Sequence, residues 1–147
     1  MADRQKHSLR LWLELARVAL PMQREIDGRF RAQFNQSLAR FDVMAQLERN
    51  PGGLRIGRLA ELLLAATSGN ITMLLKRMEK EGLVERVPSQ EDARSNLVKL
   101  TATGRELFRK MARAQRQWTD QRFSELPTDQ RTRLIDELAS LHRQLRS

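Results

Sequence analysis

The side chains best suited to contact another molecule lie in two short stretches. In the first, Ser68, Gly69, Asn70, Thr72, Met73, Lys76 and Arg77 fall on one side of a helical repeat, opposite the apolar Ile71, Leu74, Leu75 and Met78. Their chemistry matches the edges of a DNA major groove. Asn pairs bidentately with adenine, Met touches a thymine methyl, and Lys76 and Arg77 one turn later reach phosphates or guanine. Thr67 stands before them as an N-cap, where free backbone N–H groups can take a phosphate. In the second stretch Asp92 and Arg94 sit two positions apart in a polar loop. An arginine at a hairpin tip suits the negative potential of a minor groove. Asp92 is placed to hold its guanidinium by a charge-assisted hydrogen bond. A solvated helix face or a surface ion pair would account for either stretch by itself. Their order and spacing point instead to double-stranded DNA.

Other chemistries find few residues. The chain of 147 residues has no Cys and only two His, His7 and His142, near opposite ends. That excludes disulfides, thiolate ligands and thiol redox sensing, and leaves too few imidazoles for a metal site within one chain. No Ser has a His near it in sequence. Gly52-Gly53 follows Pro51 as a turn rather than forming a phosphate loop, so no enzyme activity, metal or cofactor is expected. The net charge of +9 suits a polyanion. However, 22 of the 27 basic residues are Arg, spread evenly along the chain, so charge alone does not decide the partner. The longest apolar run, from Leu59 to Ala66, is broken by Glu61 and is too short for a membrane span. The N-terminus lacks a clean signal-peptide core, so a cytoplasmic protein without membrane contact is expected.

The elements that must position these residues are mostly helical. Charged residues at 31% and hydrophobic residues at 40% describe a globular chain of about one domain. Leu9, Trp12, Leu13, Ala16, Ala19 and Leu20, continued by Ile26, Phe30 and Phe34, predict a first helix over about 8–34, kinked at Pro21. Ser37 caps a second helix with Phe41, Met44, Ala45 and Leu47 inward. Asn50-Pro51-Gly52-Gly53 ends it. A short third helix over about 56–63 buries Ile56, Leu59, Ala60 and Leu63. Leu64-Ala65-Ala66 connects it tightly to the fourth, which stops at Gly82. The period then changes to two. Residues 83–87 and 96–100 read as strands around a turn-rich loop. Thr101 caps a fifth helix to about Phe123, and Leu126-Pro127-Thr128 opens a sixth with Leu134, Ile135, Leu138, Leu141 and Leu145 as its stripe. The expected fold is mainly α with a small β-hairpin wing, a winged helix-turn-helix flanked by terminal helices.

With these elements in place the sequence resembles the MarR family of transcriptional regulators. The residues that carry the resemblance are Ser37-Leu38-Ala39-Arg40-Phe41-Asp42-Val43-Met44, Ile56-Gly57-Arg58-Leu59-Ala60, Thr67-Ser68-Gly69-Asn70-Ile71-Thr72, and the run from Met78 to Arg86. Glu91-Asp92-Ala93-Arg94-Ser95 and Leu100-Thr101-Ala102-Thr103-Gly104-Arg105 complete it. Asp-x-Arg followed by Leu-Thr-x-x-Gly is specific in combination, while Ala93 stands where many relatives carry another basic residue.

The resemblance implies a homodimer built from residues 1–36 and 101–147 around a DNA-binding region of 37–100. It implies a palindromic operator, with the recognition helix in the major groove and the wing in the minor groove, and it adds Arg86 to the DNA-binding residues. It also implies release of DNA, most often as relief of repression, when a small aromatic or phenolic effector binds. Trp12, Phe41 and Met44 would form apolar walls for that effector, and His7, Arg10 or Arg17 a polar contact. The alternative is a winged helix that binds protein and has lost DNA contact.

Overall fold

Apolar spacing of three and four yields six helices among the residues described in the computed structural model, 1–64, 70–92 and 94–146. They are α1 (Ala2–Phe34), α2 (Leu38–Arg49), α3 (Ile56–Leu62), α4 (Ile71–Lys80), α5 (Ala102–Arg122) and α6 (Thr128–Leu145). The strands β1 (Val84–Pro88) and β2 (Asn96–Leu100) lie between α4 and α5. Two compact units result, Met1–Arg113 and Ala114–Ser147.

In the first unit α1 starts six residues earlier than its apolar stripe predicts, and its helical span is unbroken through Pro21. It stops because Asn35 adopts a left-handed conformation, so that the Asn35 N–H donates to Arg31 O at 3.1 Å and the Gln36 N–H to Phe30 O at 3.4 Å. Ser37 Oγ accepts the Arg40 N–H at 3.2 Å, as an N-cap should. Asp27, reaching across from α1, accepts the Leu38 N–H at 2.9 Å. Two side chains therefore take two of the free first-turn N–H groups of α2. Phe30 packs against Phe34 and Phe41, with ring centroids 6.3 and 4.8 Å apart, and Phe41 stacks on Phe108 at 5.3 Å. This aromatic chain joins α1, α2 and α5. Val43, Met44, Leu47, Leu59 and Met111 complete the buried interior around it. Ala45 is only half-buried, and Ala60 is exposed rather than inward. Ala60 follows Leu59 by about 100° around a two-turn helix, which swings it off the line of contact.

The turn at 50–53 brings Leu54 beside the hairpin. Leu54 N–H donates to Val98 O at 3.0 Å, and Val98 N–H donates back at 2.8 Å. A two-stranded hairpin is marginal alone, and this bridge supplies its third backbone partner. Gly53, at φ 94°, is needed there: a Cβ would stand 3.0 Å from the side chains of Leu97 and Lys99. The antiparallel register pairs Val84 with Leu100 and Pro88 with Asn96, turning Val84, Val98 and Leu100 inward.

In the second unit the connection from α5 to α6 is closed by Arg131. Its guanidinium donates to the Phe123 and Leu126 carbonyls at 2.8 and 3.3 Å. Helix α6 carries no buried residue. Leu134, Ile135, Leu138 and Leu145 are exposed, Ile135 at 60%.

Candidate nucleic-acid interface

Helix α4 separates its residues as the apolar spacing requires. Leu75 and Met78 are buried and Ile71 and Leu74 half-buried, while Thr72, Met73, Lys76 and Arg77 are exposed on the other side. Arg77 and Lys80 in the last turn oppose the negative end of the helix dipole. Asn70 differs from its expected place on the helix face. It occupies the position before the first helical residue, exposed, and its side chain makes no capping hydrogen bond. Its amide is left for another partner. Thr67, Ser68 and Gly69, the Leu64-Ala65-Ala66 connection beyond Leu64, and Ala93 lie outside the described residues.

Gly82 ends α4, at φ 75°. Its N–H donates to Glu79 O at 3.0 Å, and the Leu83 N–H donates to Met78 O at 2.9 Å. That pair of bonds closes the last turn and sends the chain directly into β1.

The loop between the strands is held by its own polar groups. Ser89 N–H donates to Ser95 O at 2.9 Å, and Ser95 Oγ donates to Asp92 O at 3.1 Å. Asp92 Oδ1 accepts the backbone N–H of Arg94 at 3.0 Å. The expected grip on the guanidinium is thus a grip on the backbone. An Asp side chain reaches the amide two residues on more easily than the end of a long side chain. Arg94 is exposed. Arg86 is half-buried, its Nε donating to Glu79 Oε2 at 3.2 Å, so it links β1 to α4.

The effector candidates divide into two groups. Phe41 and Met44 belong to the aromatic interior. His7, Arg10, Trp12 and Arg17 are exposed on the first half of α1, with Trp12 61% accessible and Arg17 paired to Glu14 at 3.2 Å. Trp12 and Phe30 are eighteen positions apart on one helix, about 27 Å along its axis. Since it is Phe30 that touches Phe41, one chain does not bring the two groups together.

Sequence periodicity missed several polar residues that fix α2, α3 and α4 to one another. Asp42, buried in α2, accepts the Leu64 N–H at 2.6 Å, just after α3. Arg40, also on α2, makes a two-pronged pair with Glu81 at 2.5 and 2.9 Å and a third bond to Gln36. The Arg40 hydrogen bonds hold the Glu81 carboxyl below its ordinary range, against a smaller upward push from burial. The charges of Arg40 and Arg77 help. Burial pushes Asp27 upward, but the Arg31 guanidinium and the Leu38 N–H outweigh it and leave the carboxyl lowered. No local motif announces these pairs, whose members lie 11, 22 and 41 positions apart.

No group of three or more metal-ligating His or carboxylate side chains occurs among the described residues, and no helix there is long and apolar enough to cross a membrane. A helix, a short helix, a helix with a polar outward face and a hairpin, in that order, define a winged helix-turn-helix protein. Residues 37–95 match the model of the MarR family. The HTH-type transcriptional regulator YfiV of Bacillus subtilis is 39% identical over 77 residues, 52% of this chain and 47% of that protein. The chain spans about half the length of YfiV and less of two further curated relatives, and 83% of a Bacillus cereus HTH-type regulator to which it is 27% identical. Among solved structures, a MarR family transcriptional regulator from Silicibacter pomeroyi superposes with a TM-score of 0.83 at 29% identity, covering 97% of this chain and 98% of that one. The transcriptional repressor CouR, bound to a 23-mer DNA duplex, has a TM-score of 0.75 at 27% identity over 88% of this chain and 89% of its own. The chain is similar to MarR family regulators in sequence over residues 37–95 and in fold over nearly its whole length.

Proposed function

We propose that this chain is a sequence-specific regulator of transcription that binds double-stranded DNA as a homodimer in the cytoplasm. The observation that carries the reading is the division of α4: Leu75 and Met78 are locked inward while Asn70, Thr72, Met73, Lys76 and Arg77 face solvent. A major groove admits such a helix. Arg94 on the neighbouring hairpin would enter the minor groove. The solved CouR–DNA complex, similar in fold and in sequence, supports DNA over a protein partner.

Exposed Leu9, Trp12 and Val18 on α1, and Leu134, Ile135 and Leu138 on α6, support assembly through residues 1–36 and 101–147 around a reading region of 37–100. A two-fold dimer would set two recognition helices about one DNA turn apart and favour a palindromic operator. A small aromatic or phenolic effector would meet Trp12, with His7, Arg10 or Arg17 as its polar partner, and lift repression by changing that spacing. No catalytic role is assigned to any residue.

The test is recovery of bound duplexes from a random-sequence pool, followed by gel shifts across a salt series. A reader of DNA enriches a palindrome and loses affinity steeply with salt. Absence of any enriched sequence would overturn the reading. Adding phenols and aromatic carboxylates to the complex then tests for an effector.

A further inference from the structure

The C-terminal end of α4 is held from several sides. At its last turn, ties arrive from three other elements. Helix α2 sends Arg40 to both oxygens of Glu81. Strand β1 sends Arg86 to Glu79 at 3.2 Å. The start of α5 sends Thr101, whose hydroxyl donates to Gly82 O at 2.6 Å while its backbone N–H donates to Leu83 O at 3.1 Å. The same Thr101 oxygen accepts the Gly104 N–H at 3.0 Å, capping α5. One side chain therefore closes α5 and fastens it to the end of α4. The approach is close enough to demand glycine at 104: a Cβ there would stand 2.0 Å from Leu83 O.

We infer that Thr101 and Arg40 are positioning residues that fix the C-terminal end of α4 to α5 and α2, and so set the direction in which its exposed face meets DNA. The inference rests on the proposal that α4 reads DNA. It assigns the Leu-Thr-x-x-Gly motif a mechanical task away from the DNA surface. A hydroxyl that only capped α5 would not also bond Gly82 O. An ion pair that only decorated the surface would not have an Arg40 side chain just 14% exposed.

The test uses the full chain with Thr101→Val, which keeps the shape and removes the hydroxyl, and Thr101→Ser, which restores it. Three quantities are read: affinity for a duplex enriched by the wild-type protein, affinity for an unselected duplex of equal length, and amide hydrogen exchange of residues 74–79 against that of α2. Thr101→Val is expected to weaken the selected duplex about tenfold, to move the unselected one less than about twofold, and to speed α4 exchange about tenfold relative to α2. Thr101→Ser recovers all three. An unchanged ratio of the two affinities with unchanged α4 exchange overturns the inference, even if the melting temperature falls. If the wild-type protein enriches no duplex, the DNA reading fails and the exchange result alone decides the joint: faster α4 exchange supports it, unchanged exchange overturns it. If Thr101→Val does not fold, Glu81→Gln removes the Arg40 tie from the exposed side. It is expected to shift the same quantities about threefold, and no shift overturns the inference.

Discussion

Helices α4 and α6 are both amphipathic, yet their apolar faces meet opposite fates. In α4 the chain covers Leu75 and Met78 itself. In α6 the equivalent residues stay open to solvent. An apolar stripe in a sequence thus records that a surface must be covered, and leaves open by what. Where the cover is local, in α2, α3 and the hairpin, the outward face is polar and basic. Where it is missing, at α6 and the first half of α1, large side chains such as Trp12 and Ile135 are exposed. Under the function proposed above, the contrast would divide labour between reading and assembly.

The largest expected effect breaks the assembly side. Ile135→Asp should leave helix content unchanged but turn a dimer into a monomer in sedimentation. Operator affinity should fall by about 10²- to 10⁴-fold as the second half-site is lost. A variant that stays associated would show that the α6 stripe is not the surface that joins two copies. Next comes the joint: Gly104→Ala should cost about 1–3 kcal/mol and lower the melting temperature by several degrees, because the new methyl meets a fixed carbonyl. On the reading side, Asn70→Ala should cost roughly 1–3 kcal/mol on the enriched duplex and relax preference at a single base position, whereas Lys76→Ala should weaken all sequences alike. Equal losses on all duplexes for both variants would remove Asn70 from base readout.

The smallest effect concerns pH. Asp27 and Glu81 both have lowered folded-state values. Their contribution is complete above the unfolded carboxylate values near about 4, and is lost as pH falls through the lower folded values. Melting temperature should therefore drop between about pH 5 and 3, and Glu81→Gln should flatten that drop by less than about 1 kcal/mol, since the carboxylate is part-exposed. An identical acid profile in the variant would leave Glu81 without a share in stability.

Much of this was legible from sequence because it is local. Ser37 and Thr101 announce helix starts, Gly82 announces a stop, and alternation over 96–100 gives the strand that pairs with 84–88. Periodicity puts Asn70 on the helix face because it fixes an angle but not where the first turn begins. Spacing makes Asp92 a clasp for a guanidinium because it shows which residues are near, and the competing backbone amide is invisible in it. Arg40 with Glu81 and Asp42 with Leu64 were missed outright. Each is made by a fold that brings distant positions together, and no pattern of residue types marks them in advance.

The distribution of aromatic rings has a practical consequence for optical work. The interior is lined by phenylalanines 30, 34, 41 and 108, the chain has no Tyr, and its two Trp are Trp12, on the outer surface of α1, and Trp118, half-buried on α5. The core is nearly dark when excited near the indole band. Intrinsic emission from this molecule therefore reports on the helices expected to join two copies rather than on the melting of the centre. A dilution series followed by fluorescence would watch subunits part while far-ultraviolet dichroism stays still.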